Sequence, residues 1–166
     1  MTKFIAYTMD DNSIRMGIIH KEDGQLTSGI QSLIDSGLSE YEAIDITAKK
    51  GFPQTGADGV ECISFRVADI SELPKGEGIK YDAEFRGAFE SDGSSISVNM
   101  EKARNIHLDR IKFARNEKLK VLDIETMKGV DVQPQKQVLR DLPETIDLSV
   151  AATPEELKAI WPEELA

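Results

Sequence analysis

The side chains with which this chain could do chemistry are two histidines, one cysteine and thirty carboxylates. A catalytic zinc asks for about three His or carboxylate ligands at an organised spacing. His20 and His107 belong to no His-x3-His or Glu-x-x-His pair, so no metal site is expected. His107 falls on the apolar stripe of a long helical pattern and reads as a half-buried structural histidine. Cys62 lies in a β-rich run with no histidine near it in sequence. A thiolate nucleophile needs a base beside it, so Cys62 reads as a small buried apolar residue. Gly51-Phe52-Pro53-Gln54-Thr55-Gly56 has the glycine spacing of a phosphate loop. Ala57-Asp58 then stands where Lys-Ser/Thr is required, and its negative charge would repel phosphate. No Gly-x-Gly-x-x-Gly follows a strand, so no dinucleotide cofactor is expected. Ser94-Ser95 after Gly93 is turn chemistry, since Gly-x-Ser-x-Gly is not completed. Asp10-Asp11-Asn12-Ser13 lacks the alternating oxygens and central glycine of a calcium loop and reads as a turn. Among thirty acids, no particular carboxylate pair is informative about glycosidase chemistry. The expectation is a chain without catalytic residues, metal or cofactor.

Composition bounds the rest. A length of 166 residues suits one domain, or a compact domain with an appendage. Forty per cent hydrophobic and thirty per cent charged residues supply a core and argue against disorder. The formal charge of −10 makes nucleic acid a poor partner. A single cysteine excludes an internal disulfide. No apolar run reaches the roughly 18–20 residues that span a bilayer, and the N-terminus lacks the apolar stretch of a secretory signal. These features are those of a soluble protein made in a reducing cytoplasm, with no membrane partner. The charge is uneven: residues 1–98 carry net −8, 99–129 net +3 and 130–166 net −5.

The elements expected in residues 1–98 are mixed. Phe4–Met9 and Ile14–His20 are β-rich runs joined by a polar turn. Ile30, Leu33, Ile34 and Leu38 follow helical spacing, and Gly37 fits a helix stop. Ser39-Glu40-Tyr41-Glu42 matches a capping box and opens a second helix carrying Ala43, Ile46 and Ala48. Residues 51–59 and 73–78 read as loops. Cys62–Val67 reads as a strand. Phe85–Glu90, Asp92-Gly93 and Ser95–Val98 read as a second hairpin with a tight Asp-Gly turn.

The pattern changes at Asn99, a good N-cap. Residues 100–128 contain neither Pro nor Gly and allow one helix of about eight turns, on the order of 40 Å long. Met100, Ala103, His107, Ile111, Ala114, Val121 and Leu122 lie on one stripe. Ile106, Phe113 and Ile124 form a second, roughly 100° away. Two apolar faces predict cover on two sides, by the chain's own C-terminal segment or by another chain; a homo-oligomer stays open as one kind of partner. The helix bases fall on several sides, interleaved with acids at pairing distance, which reads as a solvated face. Gly129 stops the helix. Pro134 opens a short helix through Gln135–Leu142, which Pro143 terminates. Residues 144–152 read as an extended strap. Thr153-Pro154-Glu155-Glu156 is a helix start, leading to Leu157, Ile160 and Trp161 before Pro162. The fold class expected is α+β. A small sheet-and-helix domain (1–98) precedes a long helix and a helical C-terminal region (99–166).

Three stretches in order carry a resemblance. Phe85-Arg86-Gly87-Ala88-Phe89-Glu90 through Ser97-Val98-Asn99-Met100-Glu101-Lys102-Ala103-Arg104 and on to Leu122-Asp123 is similar to small proteins of tailed phages and prophages. Gln135-Lys136-Gln137-Val138-Leu139-Arg140-Asp141-Leu142-Pro143 resembles the Arg-Gln-x-Leu-Arg-Asp-x-Pro signature of phage tail assembly chaperones and tail-fibre assembly proteins. Residues 153–162 resemble the ending of the same small proteins. The resemblance spans about 85–165. It implies a non-enzymatic bacteriophage tail protein that binds a tail or tail-fibre polypeptide, as an assembly chaperone or as an adaptor retained in the virion. The corresponding place is the host cytoplasm during assembly, or the tail of the particle. The alternative is a decoration or neck protein contacting capsid or portal; an envelope-degrading hydrolase ranks below both. The residues expected to meet the partner are Ile106, Phe113 and Ile124 on the second stripe, with Leu139, Arg140, Asp141, Leu142 and Trp161; the alternative for Leu139, Leu142 and Trp161 is burial against the long helix of the same chain.

Overall fold

The computed structural model describes residues 3–20, 25–50, 59–74, 83–92 and 94–166. The chain divides into two compact units, Met1–Val98 and Asn99–Ala166. It is an α+β protein with a small antiparallel sheet and one long helix. The expected loops at 51–58 and 75–78, including the phosphate-loop-like glycines, lie outside the described residues.

In the first unit, β1 (Lys3–Met9) is the middle strand of a three-stranded sheet ordered β2-β1-β3. β2 (Ile14–Ile18) and β3 (Cys62–Asp69) both pair with it antiparallel. A middle strand covered on both faces must be apolar on both, which is why Phe4-Ile5-Ala6 does not alternate. Phe4 and Ala6 pack with Ile14, Ala68, Leu73, Phe89 and Ile96 on one face. Ile5 and Tyr7 pack on the other with Ile19, Ile30, Ala43, Ile44 and Ala48. That second face is covered by α1 (Ser28–Asp35) and α2 (Glu40–Lys50). Ser39 and Glu42 close the predicted capping box: the Ser39 N–H donates to Glu42 at 2.9 Å, and the Glu42 N–H to Ser39 Oγ at 3.3 Å. Gly17 lies opposite Ile5, and a Cβ there would sit 3.0 Å from the Tyr7 ring. Its bareness leaves room for that ring, whose hydroxyl donates to the Ala48 carbonyl at 3.3 Å.

The first face is covered by β4 (Phe89–Ser91) and β5 (Ile96–Val98). Here two expectations are corrected. Phe85–Ala88 is not strand: Arg86–Ala88 is a 3-10 turn, with the Ala88 N–H on the Phe85 carbonyl at 2.8 Å. Gly87 has low strand propensity, and the turn buries both Phe85 and Phe89. The hairpin connection spans 92–95 rather than two residues, because Ser91 pairs with Ile96. The Asp92 carboxylate closes it by accepting the N–H groups of Ser94 and Ser95 at 2.9 and 2.7 Å. Gly93 lies outside the described residues. β2 likewise ends at Ile18, short of His20, which forms an isolated bridge with Leu26.

In the second unit, α3 (Met100–Met127) is one unbroken helix of 28 residues. Asn99 caps it, its side chain accepting the Lys102 N–H at 3.0 Å. Gly129, at φ +86°, ends it. α4 (Gln133–Thr145) and α5 (Pro154–Ala159) pack on it, followed by a 3-10 turn at Glu163–Leu165. α4 is longer than predicted at both ends. Pro134 sits in its first turn, where no N–H is needed. Pro143 does not stop it: the ring removes one hydrogen bond in the last turn, and the Ile146 N–H still reaches the Leu142 carbonyl at 3.1 Å. The strap is therefore shorter than expected, beginning at Ile146. α5 has its predicted start, with Thr153 Oγ1 accepting the Glu156 N–H at 3.2 Å.

Candidate partner-binding surface

Among the described residues, Cys62, His20 and His107 take part in no group of side chains that could hold a metal ion. Cys62 is a buried free thiol that donates to the Ser64 carbonyl at 3.3 Å. Burial pushes its pKa up, away from a thiolate. His107 is fully buried rather than half-buried, and its Nε2 lies 2.9 Å from the Ile160 carbonyl. That contact requires a proton on Nε2, which makes the ring a strut between α3 and the C-terminal segment. Ser13 donates its N–H to Asp11 at 2.9 Å within the predicted turn, where Asn12 takes φ +62°. Among the described residues no three His, Cys, Asp or Glu side chains are grouped to hold a metal ion. Among them also, no helix is long and apolar enough to cross a membrane.

The first unit has an open surface groove of about 580 Å³, lined in part by Lys3, Glu40, Tyr41, Ile44, Val67 and Glu72. Two of its carboxylates, Glu72 and Asp69, are occupied. Glu72 accepts the Asp69 N–H at 2.7 Å and the Arg66 guanidinium at 2.6 Å; Asp69 accepts the Ser71 N–H at 2.9 Å. These hydrogen bonds hold both acids below their ordinary values. An acid–base pair needs two values driven apart, whereas these are driven the same way.

The surface of α3 is divided lengthwise. Ala103, His107 and Ile111 are buried, and Ala114, Lys118 and Leu122 are half-buried, so one sector is covered by α4, α5 and the closing turn. The sector around Phe113 and Ile124 is not: they are 68% and 53% exposed. Ile106 is half-buried. The predicted cover on two sides is thus present on one. Val121 was expected on the covered stripe and is instead exposed. α4 anchors through Lys136 to Asp123 and Thr126, on the far side of Leu122 from Val121, and leaves Val121 bare.

The remaining predicted residues separate. Leu139 and Leu142 are buried with Val132 on the inner side of α4. They cover α3, one of the two places the sequence leaves open for them, and are not free to meet a partner, which removes them from the expected contact residues. Arg140 and Asp141 are exposed, and Asp141 accepts from Gln137 Nε2 at 2.8 Å. Trp161 is 42% exposed and packs edge-on against His107, ring centroids 6.0 Å apart. Three positions escaped the sequence reading. Met127, one turn beyond Ile124, extends the bare sector, and its spacing could have found it. Arg104 reaches the Leu148 and Ala151 carbonyls at 3.1 and 2.8 Å and pins the strap. Lys136 is buried, with Nζ 2.9 Å from Asp123 and 2.6 Å from Thr126 Oγ1. Neither clamp has a local signal, because each partner lies in another element.

Comparison with protein-family models, curated proteins and solved structures finds no match to this chain.

Proposed function

We propose that the chain is a non-enzymatic phage tail protein that binds a tail or tail-fibre polypeptide. It acts as an assembly chaperone or as an adaptor kept in the particle. The observation that carries this reading is the bare sector of α3: Phe113, Val121, Ile124 and Met127 stay exposed after the C-terminal segment has packed. Large apolar side chains held on a rigid rod are suited to burial by a partner, and an aromatic such as Phe113 would supply much of the affinity. The three phage-like stretches support the class of partner. Trp161 stands as a second, half-docked anchor, and Arg140 and Asp141 are polar groups at the surface.

The test is co-expression with tail and tail-fibre polypeptides of the same phage or prophage. Co-elution that Phe113→Asp abolishes supports the reading; no co-elution, or co-elution indifferent to Phe113→Asp, overturns it. Mass spectrometry of purified virions separates the two variants, since an adaptor is present at fixed stoichiometry and a chaperone is absent.

A further inference from the structure

We infer that the bare sector of α3 is closed by a second copy of this chain, packed antiparallel about a two-fold axis midway between Glu117 and Lys120. The inference stands without the tail-partner reading: it concerns the purified chain alone.

The exposed ridge runs Phe113, Glu117, Lys120, Ile124, at spacings of four, three and four residues. At about 100° per residue these four fall within about 60° of one another, which is one helical seam. The same alternation continues to Arg110 on one side and Met127 on the other. A spacing of four-three-four reads identically from either end. A two-fold axis through its centre therefore sets Phe113 opposite Ile124 of the second copy and Glu117 opposite its Lys120, each pairing occurring twice.

Charge decides the direction. In a parallel pair the seam would place Glu117 beside Glu117 and Lys120 beside Lys120. The antiparallel pair places every charge against its opposite. Within one chain the two side chains already meet at 2.6 Å while remaining largely exposed, so two such pairs would join as a ring of four alternating charges. Such a polar step in an apolar seam fixes register and orientation.

The flanks agree. The same axis brings Val121 beside Ala114 of the second copy on the side nearer the C-terminal cover. On the other side, where Asp123 also holds Lys136 of α4, it brings Asn116 beside Asp123. Met127 meets the aliphatic stem of Arg110, a long side chain able to lie over it. The exposures of Phe113, Val121, Ile124 and Met127, left over by the packing of one chain, thus receive one common explanation. The tail polypeptide of the preceding reading would compete with the second copy for Phe113 and Ile124.

The test is sedimentation equilibrium of the purified full chain, wild type and charge variants. Wild type is expected to show a concentration-dependent monomer–dimer equilibrium. Glu117→Lys alone, or Lys120→Glu alone, sets like charges opposite one another and should raise the dissociation constant about ten-fold or more. The double variant Glu117→Lys/Lys120→Glu should restore the dimer. An equimolar mixture of the two single variants should dimerise where neither does alone, because each complements the other. All four positions of the seam are exposed, so far-UV circular dichroism of dilute samples should be unchanged. A chain that stays monomeric to about 1 mM overturns the inference. So does a dimer indifferent to both reversals, or one that the double variant fails to restore. Phe113→Cys forming a disulfide with itself rather than with Ile124→Cys would show a parallel pair and overturn it equally.

Discussion

In the first unit the central strand buries both of its faces; in the second the long helix buries one. β1 sends Phe4 and Ala6 into one cluster and Ile5 and Tyr7 into the other, and both clusters are closed by elements of the same unit. α3 has apolar side chains on two sectors but only α4, α5 and a closing turn to lay over them. Those cover the His107–Ile111–Leu122 sector and stop there. The contrast lies in the element at the centre of each unit: β1 leaves none of its apolar side chains bare, although Tyr41, Ile63 and Val67 are exposed elsewhere in that unit, whereas α3 carries more apolar surface than its cover can bury and exposes the remainder. It also changes what holds each unit together. The sheet relies on packed apolar layers, while the second unit adds long charged side chains that reach across to another element, Arg104 to the strap and Lys136 from α4 to α3.

The chromophores separate the two units. All three tyrosines (Tyr7, Tyr41, Tyr81) lie in the first and the single tryptophan, Trp161, in the second. The largest expected effect is on the saturated side. Phe89 is 1% exposed and sits in the cluster on the hairpin face of the sheet. Phe89→Ala should cost about 3–5 kcal/mol, the range for a truncated core phenylalanine. The loss should be read in the tyrosine signal during denaturant unfolding. A loss below about 1 kcal/mol would mean that this face is not a packed core, and the contrast between the units would fall.

Next comes the clamp in the second unit. Arg104→Ala removes two charge-assisted hydrogen bonds and leaves the Leu148 and Ala151 carbonyls without that donor. The expected cost is about 2–3 kcal/mol, because bonds to a charged group are the stronger kind. It should appear as a lower midpoint of the Trp161 fluorescence transition. Arg104→Lys, which keeps the charge but loses the fork that reaches both carbonyls, should recover only part of it.

These two sites also show where sequence reading reaches its limit. Besides the unbroken run of α3, signals confined to one or two turns were legible: the Ser39–Glu42 and Thr153–Glu156 boxes, the Asn99 cap and the stop at Gly129. Each is a contact between residues at most four apart, so the pattern carries its own partner. What depended on distant partners was not legible. Arg104 looks like any helix arginine until the strap arrives beneath it. Leu139 and Leu142 form an apolar stripe that would look the same whether it covered α3 or a foreign chain. Pro143 carried a local prohibition, outweighed by the burial of Leu139 and Leu142 just before it. In the candidate surface, Phe113 and Ile124 were legible because they lie off the main stripe. Val121 was misplaced because the position of α4 on α3 is a tertiary fact.

The sheet unit should also respond to pH, by a smaller amount. Asp69 and Glu72 cap the short turn after β3, and their ordinary values, 3.8 and 4.5, are lowered by hydrogen bonds from Ser71, from the Asp69 N–H and from Arg66. A lowered folded value means that the unfolded chain binds protons more readily. The contribution is therefore full above about pH 5 and is lost as pH falls through the ordinary range and below it. Glu72 is partly solvated, so its share should be about 1 kcal/mol at most. The tyrosine-reported midpoint should fall between about pH 5 and pH 3, and Glu72→Gln should flatten that slope. An unchanged slope in Glu72→Gln would remove this pair from the account.

The smallest effect is the one that bears on the uncovered rod. Phe113 has the same side chain as Phe89 yet is 68% exposed. In dilute chain, Phe113→Ser should change the stability of the second unit by no more than about 0.5 kcal/mol, as expected for a surface position. Truncating a residue that the isolated unit does not bury removes little, so any larger loss would mean that Phe113 is already covered. A small loss in the dilute chain, together with weakened self-association at high concentration, would assign the value of this side chain to a contact outside its own chain. That is the physical difference between the two phenylalanines: one is spent inside the sheet unit, and the other is held ready on the helix.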